Sequence, residues 1–84
     1  MTDIEFDVLD ELYFVISYGD LKDNLSMKES ELKESLVTLL QKDWIKVLSN
    51  VDDEIDKAEV DLSGQAESYY YLITKKGLLA HNTQ

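Results

Sequence analysis

The chain has no cysteine, no arginine and no proline, and its 84 residues include only three glycines, one tryptophan and one histidine. Without cysteine there can be no disulfide, no thiolate metal site and no cysteine nucleophile, a composition that suits a reducing compartment. Without arginine the chain lacks the planar donor that grips phosphate or guanine with two parallel hydrogen bonds. No apolar run approaches the roughly eighteen residues that cross a bilayer, so no membrane partner is expected. The opening Met1-Thr2-Asp3-Ile4-Glu5 is acidic where a secretory signal carries a basic region, and a soluble, cytoplasmic protein is expected.

What the chain does have is negative charge. Eighteen Asp and Glu against eight Lys give a formal net charge of −10. The charge is uneven: residues 1–26 and 49–68 each hold seven acids and one lysine, residues 27–48 hold four of each, and residues 69–84 hold two lysines and no acid. A field of this sign repels polyanions, so nucleic acid is a disfavoured partner. With 44% apolar side chains the 84 residues are expected to form one domain, spanning 1–84. A domain this small buries only about 60 to 65% of its unfolded surface and has stability to gain from a dimer partner or an unusually apolar helix pair.

Apolar spacing predicts a first helix over about Ile4 to Ser17, with Leu9, Leu12, Tyr13 and Ile16 in helical register. Phe6, Val8, Phe14 and Val15 widen its stripe beyond one contact face. Two readings follow: a small core closed on both sides, or a dimer interface. Asp20 is placed to cap a short second helix carrying Leu21 and Leu25. A third helix, with Leu32, Leu36, Leu39 and Leu40 at i, i+4, i+7 and i+8, begins between Met27 and Ser30 and ends near Asp43. Either Ser26, in a Ser-x-x-Glu box with Glu29, or Ser30 caps it. The period then becomes extended. Trp44 to Leu48 and Tyr69 to Ile73 are aromatic and β-branched, as two antiparallel strands would be. Between them lie the 20 residues 49–68, long for a hairpin loop and expected to hold some structure of their own. Leu78-Leu79-Ala80-His81 predicts a short terminal helix or turn.

Three helices followed by two strands make a winged helix-turn-helix plan, an α+β fold in which a three-helix bundle carries a two-stranded wing and a short C-terminal helix. Leu21, Leu25-Ser26-Met27, Leu32, Leu36, Leu39 and Asp43-Trp44-Ile45 fall on the apolar pattern of winged-helix regulators of the MarR and PadR types, which this chain resembles over about residues 4–81. Tyr70-Tyr71-Leu72-Ile73-Thr74-Lys75-Lys76-Gly77 is similar to the last wing strand and its Leu-Thr-x-x-Gly ending, with one extra residue. The resemblance implies a transcriptional regulator. Asp43 stands where that family usually has glycine, and Ser26 where it has a small residue. The long acidic wing, at about 49–68, is an insertion relative to the plan.

The site residues divide by partner. For nucleic acid, the resemblance would use Lys28, Ser30, Lys33, Lys42, Lys75 and Lys76, but Glu29, Glu31 and Glu34 share the reading half of the third helix with Lys33. The wing is worse placed still, with seven acids and Lys57 alone in opposition. For protein, Val37 and Leu40 are apolar where the family pattern is polar, and with Trp44 they form an i, i+3, i+7 row that marks an interface or, for Trp44 above all, a face that the long wing folds back to cover. Phe6 and Phe14 complete the interface candidates. No catalytic residue, cofactor, metal site or small-molecule ligand is expected. His81 is read as a passive surface side chain near a fraying end, and Asp52-Asp53-Glu54-x-Asp56 lacks the glycine and twelfth-position Glu of a calcium loop. The expected function is therefore a non-catalytic module acting mainly through protein contacts, with itself or a partner. A dimeric DNA-binding regulator is the alternative, and an acidic mimic of nucleic acid the third reading.

Overall fold

In a computed structural model describing residues 1–83, Thr2 and Glu5 start the first helix by capping one another. Thr2 Oγ1 accepts from the Glu5 amide at 3.1 Å, and Glu5 Oε1 accepts from the Thr2 amide at 3.0 Å. Two orphan donors are satisfied at once. Helix α1 (Asp3–Asp10) then buries Val8 and Leu9 and stops, short of the Ser17 that the spacing predicts. The reason is tertiary. Leu12 gives its carbonyl to the Ile73 amide at 2.9 Å, and Ile16 and Ser17 form strand β1, pairing with Tyr71 and Tyr70. A run of aromatic and β-branched residues takes the sheet partner offered to it over its own helical register.

Ser17, rather than Asp20, caps α2 (Tyr18–Asn24), accepting from the Asp20 amide at 3.2 Å. Helix α3 (Glu29–Gln41) begins after Lys28, whose amide is met by Glu31 at 3.3 Å, so neither serine takes the cap. Its inner face, Leu32, Ser35, Leu36 and Leu39, is buried as the leucine spacing predicts. Strands β2 (Ile45–Leu48) and β4 (Tyr70–Ile73) pair antiparallel with Ile45 opposite Ile73 and Leu48 opposite Tyr70.

The segment between these strands is built. Strand β3 (Glu54–Ile55) adds to the edge of β2, and two single 3₁₀ turns (Lys57–Glu59 and Ala66–Ser68) flank α4 (Leu62–Gln65). Leu62 and Ala66 enter the core, while all seven acids of the segment remain exposed. Two tyrosines of the last strand region fix it: the Tyr71 hydroxyl donates to the Ala66 carbonyl at 2.8 Å, and the Tyr69 hydroxyl accepts from the Asp61 amide at 3.1 Å. The described residues thus form an α+β fold of five α-helices and one antiparallel sheet in the order β1-β4-β2-β3, with four strands in place of the two expected.

One junction ties helix, hairpin and terminus together. Asp43, just beyond α3, has φ 61°, the left-handed conformation that a glycine adopts more easily. Its carbonyl accepts from Thr74 Oγ1 at 2.7 Å, and the next carbonyl, of Trp44, accepts from the Thr74 amide at 2.9 Å. Thr74 Oγ1 also accepts from the Gly77 amide at 3.0 Å, capping α5 (Lys75–Asn82). Gly77 packs directly on the Trp44 carbonyl, where a Cβ would overlap it.

Candidate interaction surface

Charge on the protein is organised by pairing. Lys33, on α3, sits 2.6 Å from Glu67 and 3.5 Å from Glu29. The hydrogen bond to Glu67 raises the Lys33 pKa above its ordinary value and lowers that of Glu67. Lys42 lies 2.9 Å from Glu5 and 4.6 Å from the centre of the Trp44 ring, in a cation–π contact. Burial pushes the Glu5 carboxyl up, but its hydrogen bonds from Lys42 and Thr2 outweigh that and hold it below 4.5. Lys57 reaches Asp43 at 2.9 Å and lowers its pKa, chiefly by that hydrogen bond. Lys22 and Lys46 pair more loosely, with Glu29 at 3.9 Å and Glu54 at 3.5 Å.

Of the six nucleic-acid candidates, then, Lys33 and Lys42 are occupied by carboxylates within the fold. Ser30, Lys28, Lys75 and Lys76 are exposed, and the three lysines make no ion pair among the described residues. They are not gathered together. Lys28 precedes α3, whereas Lys75 and Lys76 open α5 beside Asp43 at its far end, so about 20 Å of helix separates them at 1.5 Å per residue.

The apolar candidates also separate. Phe14, 84% exposed, stands on the link between α1 and β1 with its ring in solvent. Phe6 is half-buried and stacks on His81, ring centroids 4.3 Å apart. Leu40 and Trp44 are half-buried against the core, and Val37 is 38% exposed beside them. Val37 and Leu40 form one wall of a cleft of about 320 Å³ whose other wall is Val60, Asp61, Leu62 and Ser63, with Gln41 and Lys57 at its end. Val60 and Leu62 were hidden in the sequence by the acids around them. Their alternation with Asp61 is the only signal that marks them.

His81 is not the surface residue expected. Helix α5 continues through it, and the residue is buried, one turn after Gly77 on the same inner face. Nδ1 lies 2.8 Å from the Tyr13 hydroxyl, while Nε2 has no hydrogen-bond partner among the described residues and lies 3.5 Å from Asp10. With Phe6 stacked on one face, the ring holds α5 against α1. No serine or threonine hydroxyl is bonded to it, and no group of three or more His, Asp or Glu side chains among the described residues is arranged to hold a metal. No helix is long and apolar enough to cross a membrane among these residues. Comparison with known protein families, with curated proteins and with solved structures gives no match to this chain.

Proposed function

We propose that the chain is a non-catalytic winged-helix module that acts mainly through contacts with protein, its own copies or a partner. The pairing of cations around α3 carries this reading. Duplex binding draws on several free lysines or arginines that release counterions from phosphate. Here Lys33 and Lys42 are already held by Glu67 and Glu5, and no arginine exists to replace them. Exposed apolar side chains on the same body, Phe14 above all, supply the opposite chemistry.

In this reading α2 and α3 form the helix-turn-helix, β2 and β4 the wing hairpin, and residues 49–68 a wing insertion folded back on α3. The function expected of the resemblance, a dimeric regulator reading DNA, draws support from one observation: Ser30 and Lys28 stand exposed at the start of α3.

Two measurements test the proposal. A labelled mixed-sequence duplex titrated at low salt is expected to show no shift, and saturable binding that weakens steeply with salt would reverse the order of the two readings. Sedimentation of the purified chain beside Phe14→Ser tests self-association. Phe14 is exposed, so the variant retains its fold, and a dimer of the parent that dissociates in the variant would place the contact at this residue.

A further inference from the structure

We infer that the cleft between α3 and the segment 57–63 docks a basic, amphipathic helical segment of a partner protein, an inference that rests on the protein-contact reading above. Val37 and Leu40 on one side and Val60 and Leu62 on the other give it an apolar stripe from two elements, and Gln41, Lys57, Asp61 and Ser63 supply the polar remainder of its lining. The volume, about 320 Å³, is at the low end of ligand sites, which run from about 300 to 1,000 Å³. It suits anchoring side chains presented from a helix at i, i+3 or i+4 spacing.

Charge selects the partner. Glu34 lies one turn before Val37 on α3, and Asp56, Glu59 and Asp61 flank Val60; all four are exposed and none forms an ion pair among the described residues. The nearby cation, Lys57, is spent on Asp43 and on the Gln41 carbonyl at 3.3 Å. Among the described residues no cation offsets these four carboxylates, of which Asp56 and Asp61 also accept the Ala58 and Gly64 amides, so the rim is net negative beside an apolar stripe. A second copy would bring the same rim and the same −10, and nucleic acid would bring phosphate. A lysine-rich helix with an apolar stripe brings the complement of both features.

The probe is a blocked synthetic peptide with leucine at i, i+3, i+4 and i+7 and lysine on its remaining face, titrated into the ¹⁵N-labelled full chain. Amide shifts are expected to cluster at Val37, Leu40, Gln41 and the 60–63 segment. Affinity is expected to fall about fivefold in Val37→Ser, whose half-exposed position leaves the fold intact, and to lose part of its salt dependence in Glu59→Gln. A peptide with serine for leucine is expected to bind far more weakly. Shifts confined to the acidic face of α1 or to residues 52–54, equal affinity for the serine peptide, unaltered affinity in Val37→Ser, or no shifts at all would each overturn the proposal. These leave the protein-contact reading standing. That reading fails separately if a mixed-sequence duplex, added to the same sample, shifts Lys28 to Lys33.

Discussion

Two glycines provide a matched pair of substitutions with opposite signs. In a helix, alanine is preferred to glycine by about 0.5 to 1 kcal/mol, because glycine loses more backbone freedom on folding. Gly19, in α2, has no neighbour within 4 Å of where a Cβ would stand, so Gly19→Ala is expected to gain a few tenths of a kcal/mol up to about 1. Gly77, in α5, has the same propensity to gain and no space in which to gain it. Its Cβ would overlap the Trp44 carbonyl and come within 2.9 Å of Ile73 Cγ1. That carbonyl cannot swing away like a side-chain tip, because it accepts the Thr74 amide at 2.9 Å. Overpacking costs about 1 to 3 kcal/mol and weakening that hydrogen bond about 1 more, against a propensity gain of about 1. The net is about 1 to 3 kcal/mol of destabilisation, or roughly 5 to 20 °C in Tm for a domain of this size. Urea unfolding of both variants followed by tryptophan fluorescence measures this directly. A Gly77→Ala midpoint equal to or above that of the parent would refute the claimed contact of α5 on the end of α3.

Two further outcomes follow from buried polar groups. Tyr71→Phe removes the hydroxyl that satisfies the Ala66 carbonyl and is expected to cost about 1 to 3 kcal/mol; hydrogen exchange should show the loss first in residues 62–68, and uniform or absent weakening would contradict the role given to this tyrosine. Glu5 has a folded pKa below its ordinary 4.5, so the stability its charge contributes is complete above that value and is lost as pH falls through the folded one. At neutral pH Glu5→Gln should cost about 1 to 2 kcal/mol, discounted from a fully buried charged bond because the Lys42 side chain is 37% exposed. The gap between parent and variant should close towards pH 3, where chemical denaturation can measure both; a gap constant with pH would mean that shape, not charge, matters at this position.

Much of the fold was legible because one period dominates each stretch. Leu32, Leu36 and Leu39 leave α3 a single way to face the core, and Ile45 to Leu48 and Tyr70 to Ile73 have the β-branched and aromatic content that a buried hairpin needs. Asp43 shows how a departure from a pattern can still obey its physics, since the residue adopts the left-handed turn that glycine would have taken. The Thr2-x-x-Glu5 box was equally available and would have fixed the start of α1. Its end was not. Leu12 to Ser17 satisfies helical spacing and strand composition together, and only the presence of Tyr70, Tyr71 and Ile73 alongside decides between them.

The candidate surface was legible in kind and not in place, and charge explains why. Sequence counts lysines, but a lysine attracts phosphate less when a carboxylate already pairs with it. Lys33 is neutralised by Glu67, 34 positions away, and Lys42 by Glu5, 37 positions earlier. Neither pairing has any local signature. The acidic segment, expected to hold some structure of its own, hides which of its 20 residues supply that structure, because seven of them are acids and the few apolar residues among them carry its packing. Leu62 and Ala66 anchor it, the tyrosine hydroxyls hold its backbone, and every acid is turned outward. Because the anchors face inward and the acids outward, a single segment both completes the apolar stripe of the cleft and sets negative charge beside it. Asp56 and Asp61 are accounted for in part as caps of the turns on either side of Val60, whereas the Glu34 and Glu59 carboxylates hold nothing among the described residues, so their charge at this rim is the feature that packing leaves unexplained and recognition of a basic partner would explain.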